Sequence, residues 1–115
     1  MPDKCLLPES PTELLEMLFN IFPEYSATVP NPINAEDPSF HSVLIEFSSD
    51  FGRLARGASE KQLRSFALLI NAAVENGGGL ENAFSTCLLE HLHQIRALQA
   101  LRPYLSKLAY ERTRA

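Results

Sequence analysis

Cations are scarce in this 115-residue chain, with ten lysines and arginines against fourteen acids and a formal net charge of −4. A nucleic-acid-binding domain needs a basic surface to displace counterions from phosphates, so this balance argues against one. Cysteine is scarcer still: Cys5 and Cys87 are too few for a disulfide scaffold and fall in regions of different character, so both are read as reduced thiols. No stretch approaches the roughly 18 consecutive apolar residues of a membrane span. Met1-Pro2-Asp3-Lys4 has none of the marks of a signal peptide, and the expectation is a cytoplasmic protein that does not engage a membrane. Machinery for nucleophilic catalysis is missing as well, because no serine or cysteine has an adjacent base with a third group to orient it. The chain reads as a non-enzyme that needs no cofactor.

What is present is helical. Apolar residues make up 45% and charged residues 21%, an ordinary globular balance, and the length suits one domain over residues 1–115. Residues 1–10 read as an N-terminal arm. Ser10-Pro11-Thr12-Glu13 joins a capping serine, a first-turn proline and a glutamate three residues after the cap, and so predicts a helix over about 11–22 that Pro23 stops. Residues 23–37 hold Pro23, Pro30 and Pro32 with no apolar period, which predicts an irregular loop pinned by Tyr25, Val29 and Ile33. A second helix is expected from Asp37-Pro38 to Gly57, with Phe40, Val43, Leu44, Phe47, Phe51 and Leu54 on its core face. Ser59 and Gln62 open a third, apolar on nearly every side from residue 66 to 74 and therefore central. The Gly77-Gly78-Gly79 run ends it. With no preceding strand and no Lys-Ser/Thr after it, that run is not a phosphate loop. A fourth helix is expected from about Leu80, either continuous to about residue 101 or broken near 93, and a fifth after Pro103.

Charge is unevenly spread. Residues 1–50 carry nine acids against one base, and residues 51–115 carry nine bases against five acids. Two readings follow: the halves neutralise each other in the fold, or an acidic face steers a basic partner onto itself. On the outer stripe of the second helix, Glu46 and Asp50 stand one turn apart among Ser42, Ser49 and Arg53, and Glu36 and Asp37 precede that helix. Glu36, Asp37, Glu46 and Asp50 are thus the candidate partner-binding residues.

Leu89-Glu90-His91-Leu92-His93 gathers the residue types of a metal or catalytic site. At about 100° per residue, however, His91 and His93 point to opposite sides of one helix and cannot grip one ion. Cys87 and His91 are one turn apart and leave open a metal sensor or metalloenzyme that would draw on Cys5, His41 or carboxylates. The simpler reading of His91 is a core histidine whose ring is bonded to a carboxylate or carbonyl.

The run Phe22-Pro23-Glu24, the proline-rich acidic loop, Ser39-Phe40-His41-Ser42-Val43-Leu44, and Phe84-Ser85-Thr86-Cys87-Leu88-Leu89-Glu90-His91-Leu92 give the chain, over residues 11–110, a resemblance to a group of small all-helical bacterial proteins. That group is a domain of unknown function marked by a Leu-Glu-His-Leu helix, and some relatives sit among predicted immunity proteins of polymorphic toxin systems. The resemblance implies a compact array of antiparallel helices related to half of a helical solenoid, and it brings no catalytic residue. The expectation is therefore an all-α single domain of about five antiparallel helices, a bundle or short solenoid-like array. Its expected function is to bind a protein with a basic surface, as an immunity protein binds a toxin. Self-association as a homodimer, through the first or last helix, is the alternative.

Overall fold

Four serines set where helices begin. Ser10, Ser39, Ser59 and Ser106 each stand one residue before a helix and accept the backbone N–H three residues on, from Glu13 at 3.2 Å, Ser42 at 3.0 Å, Gln62 at 3.1 Å and Ala109 at 3.2 Å. Each satisfies an N–H that the helix itself leaves without an acceptor. At Ser39 and Ser59 the return bond is also made, from the cap N–H to Ser42 Oγ at 2.8 Å and to Gln62 Oε1 at 2.8 Å.

The structure is a computed structural model describing residues 7–28, 39–92 and 97–113, with the backbone alone for residues 26–28 and 91. In chain order the helices are α1 (Pro11–Ile21), α2 (Pro23–Thr28), α3 (Phe40–Gly57), α4 (Glu60–Asn76), α5 (Gly78–Cys87), α6 (Leu98–Leu101) and α7 (Lys107–Arg112), with 3₁₀ turns at Leu89–His91 and Arg102–Tyr104. The fold is all-α, and among the described residues there is no strand. One hydrophobic core draws on every helix from α1 to α7.

The centre of that core is aromatic. Phe22 ends α1, Phe47 and Phe51 come one turn apart on α3, and Phe66 comes from α4. The centroids of every pair of these four rings lie 5.0 to 5.8 Å apart. Tyr25 joins at 5.0 Å from Phe47, edge to face, and Phe84 of α5 at 6.5 Å from Phe66. Such tilted contacts set the positive edge of one ring against the negative face of another. α4 touches α1, α5, α6 and α7 and so holds the central place that its apolar content predicts.

Several boundaries differ from expectation. The stretch 23–37 is not irregular throughout: Phe22 leaves helical geometry at φ −124° and ψ 83°, and Pro23 at once starts α2 with its φ already set for a helix. Six residues are too few to display a period, so α2 is silent in the sequence. Tyr25 is buried as expected, while Val29 and Ile33 lie outside the described residues. The cap of α3 is Ser39, with Ser42 as its reciprocal partner; Asp37 and Pro38 lie outside the described residues.

The glycine run serves as a hinge between two helices. Gly77, at φ 77°, caps α4 by donating its N–H to the Ala73 carbonyl, and Gly78, at φ 83°, already opens α5, two residues before the expected start. α5 then stops at Cys87, earlier than either expectation, where Leu88 turns to φ −126° and ψ −62°. Leu88, Leu89 and Leu92, at and beyond the break, are all buried in the core. α6 is a separate short piece within the stretch expected to end the fourth helix, and α7 stands where the fifth was expected after Pro103. α4, finally, is not apolar all round in its setting, since Leu68 faces outward and is 57% exposed.

Polar side chains lock this packing at two places. Gln62 spends its carbonyl oxygen on the α4 cap while its amide donates to the Ile21 carbonyl at 3.0 Å, one of the acceptors left over at the end of α1. Asn71 accepts from the Ser106 N–H at 2.9 Å and donates to the Tyr104 carbonyl at 3.1 Å, fastening the start of α7 to the middle of α4.

Candidate partner-binding surface

Glu24, Glu46 and Asp50 gather where α2 packs on α3. Glu46 projects into solvent from α3, and Asp50 follows one turn on, with a quarter of its side chain exposed. Arg53 reaches back along the helix and forks onto Asp50, Nε to Oδ1 at 2.9 Å and the terminal nitrogen to Oδ2 at 2.6 Å. The hydrogen bond to Asp50, the charge of Asp50 and the charge of Glu24 on α2 together raise the Arg53 pKa against the lowering effect of desolvation. Glu24, exposed, also accepts from the Gln62 amide at 3.4 Å.

Tyr25 links this charge to the core. Its ring packs between Phe19 and Phe47, and its hydroxyl feels the negative charges of Glu46 and Asp50. Burial first, and those carboxylates second, push its pKa from 10.0 up to about 12, since both disfavour a phenolate. The folded protein keeps this proton to higher pH than the unfolded chain does. Tyr25 therefore contributes its full stability below about pH 10, and that contribution is lost as pH rises through about 12. Urea midpoints measured across that window should fall more steeply for the wild type than for Tyr25→Phe; parallel curves would contradict this assignment.

Of the four residues that the sequence puts forward, the structure describes two. Glu46 and Asp50 share one edge of α3 as their spacing predicts, while Glu36 and Asp37 lie outside the described residues. Glu24, Tyr25 and Arg53 complete the cluster; Arg53 stands on the outer stripe that the spacing predicts, though its pairing with Asp50 was not expected, and Glu24 and Tyr25 were not expected there. For Arg53 a signal existed, because a residue three positions after an aspartate on a helix is within its reach. Glu24 and Tyr25 depended on α2.

Among the described residues only one ion pair, Arg53 with Asp50, joins the acidic half to the basic one, so the two halves neutralise each other little by direct pairing. Arg53 with Asp50 and Arg64 with Glu60, at 2.6 Å each, are pairs within one helix, and Arg112 with Glu81 at 3.6 Å joins α7 to α5. Glu13, Glu16, Glu24 and Glu46 face solvent, and none is ion-paired with a described residue. A groove of about 330 Å³, lined by Asn20, Ile21, Pro23, Lys61, Gln62 and Ser65, opens beside the Gln62–Glu24 bond.

Cys87 on α5 is buried, with its sulfur 3.7 Å from Thr86 Oγ1. His41 meets Asn82 across the α3–α5 seam at 3.4 Å. Among the described residues no three His, Cys, Asp or Glu side chains converge on a point that could hold a metal ion. Cys5, His93 and the His91 side chain lie outside the described residues. No described helix is long and apolar enough to cross a membrane. No family model, curated protein or solved structure matches the chain.

Proposed function

We propose that this protein is a non-catalytic binding module of the immunity type, which blocks a toxin or effector by covering a basic surface on it. The immunity-type reading rests on the sequence resemblance. The observation that carries the binding reading is the excess of acid over base in and just before the first three helices. Within residues 7–28 and 39–57, six carboxylates (Glu9, Glu13, Glu16, Glu24, Glu46, Asp50) stand against two cations, Arg53 and Arg56. A rigid scaffold presents them, since α1 and α3 are anchored beneath by Phe22, Phe47 and Phe51. A fixed field of one sign attracts the opposite sign at long range and raises the rate of encounter more than it tightens the final complex. Glu24 and Glu46 lead the described part of this surface, and Glu36 and Asp37 are proposed to extend it. Asp50 acts within the cluster through its fork with Arg53.

Affinity capture from the native source at low salt, identified by mass spectrometry, tests the proposal. The wild type should recover a basic protein that a variant carrying Glu24→Lys, Glu36→Lys, Asp37→Lys and Glu46→Lys does not. Circular dichroism should show the variant folded, because Glu24 and Glu46 contribute nothing to the core. Equal recovery by both proteins would count against an acidic docking surface.

A further inference from the structure

The outer face of α4 has a pattern that the binding proposal leaves unused. Lys61, Leu68 and Glu75 are seven residues apart, and two helical turns bring each to within about 20° of the one before, so the three form a single line. All three are exposed, Leu68 by 57%. Arg64, beside them, is already engaged in its own chain, by Glu60 at 2.6 Å and by stacking 5.4 Å above the Tyr104 ring. Lys61 and Glu75, by contrast, form no ion pair with any described residue. Half-buried Ser65 and Ala72 flank Leu68 one turn before and one turn after, and they are small enough to let another helix approach within the about 8–10 Å of normal helix packing.

This line is complementary to itself when reversed. Place a two-fold axis at Leu68 and position 68 minus seven faces position 68 plus seven. Lys61 then meets the partner's Glu75, Glu75 meets the partner's Lys61, and the two leucines cover each other at the centre. In the parallel arrangement Lys61 would face a lysine and Glu75 a glutamate, so the charges select the antiparallel one. We propose that a second copy of this chain docks on α4, in an isologous antiparallel homodimer centred on Leu68. This surface differs from the self-association through the first or last helix that the sequence suggests.

Sedimentation equilibrium at low salt tests this with the protein itself. The mass should rise towards twice 12.8 kDa as concentration increases. Leu68→Asp should weaken the dimer at least about tenfold while leaving the circular dichroism spectrum unchanged. Lys61→Glu or Glu75→Lys alone sets like charges opposite each other twice per dimer and should weaken it about fivefold or more, whereas the double swap should return it to within about twofold of wild type. A monomer at every concentration, or a dimer indifferent to Leu68→Asp, would overturn the proposal. Loss with Leu68→Asp but no rescue by the double swap would overturn the antiparallel register.

Discussion

Phe47→Ala is expected to remove about 3–5 kcal/mol of stability, the range for deleting a fully buried aromatic ring. Phe47 is wholly inaccessible to solvent and touches the rings of Phe51, one turn on in α3, and of Phe22, Tyr25 and Phe66, which arrive from the end of α1, from α2 and from α4. Deleting it opens a cavity where α1, α2, α3 and α4 converge, and rings held by four neighbours cannot collapse into the space. Against a total of about 5–15 kcal/mol for a natural domain, such a loss leaves a protein close to unfolding at room temperature. Urea denaturation of the variant checks this, and a loss under about 1 kcal/mol would show that the aromatic cluster is not the centre of stability. Glu46, one residue away on the same helix but exposed, provides the control: Glu46→Ala should leave the midpoint almost unmoved.

The second large effect is expected at Asn71. Its side chain is the acceptor for the Ser106 N–H and the donor to the Tyr104 carbonyl, residues 35 and 33 positions away in sequence. Asn71→Ala strips both partners at once from part-buried backbone groups, at about 1–3 kcal/mol for each group left without a bond. The effect should be local first. Amides of α7 and of the Arg102–Tyr104 turn should exchange with solvent faster by one to two orders of magnitude, while those at the centre of α3 follow the smaller global change. Uniform loss of protection across the molecule would mean that Asn71 supports the whole fold and does not specifically clamp its C-terminal segment.

These two residues show what was legible in the sequence and what was not. Phe47 and its neighbours on α3 could be placed directly, because eighteen helical residues repeat an apolar spacing often enough to define a face. The caps at Ser10 and Ser59 were equally plain, since a serine followed three residues later by Glu or Gln reports a local bond. Asn71, Gln62 and Glu24 act over 33 to 41 positions, and no local pattern records such bonds. The break after Cys87 was hidden for a different reason. Leu88, Leu89 and Leu92 fit a continuous apolar stripe almost as well as a kinked one, and only the packing shows that all three are buried.

The candidate surface divides along the same line. That Glu46 and Asp50 share an edge follows from a spacing of four, whereas the helix that brings Glu24 and Tyr25 to that edge is six residues long. Polarised charge was visible from composition alone. Whether the halves cancel is a matter of geometry: of the ion pairs among the described residues only Arg53–Asp50 joins the acidic half to the basic one, and Glu13, Glu16, Glu24 and Glu46 face solvent without an ion pair.

The central claim is that this outward-facing acid steers a basic partner, and the association rate measures it most directly. Stopped-flow mixing with the partner recovered by capture, repeated over a range of ionic strength, should show a rate that climbs steeply as salt is lowered. The charge-reversed variant at Glu24, Glu36, Asp37 and Glu46 should associate several-fold more slowly and lose most of that dependence. A rate indifferent both to salt and to the reversal would contradict the account.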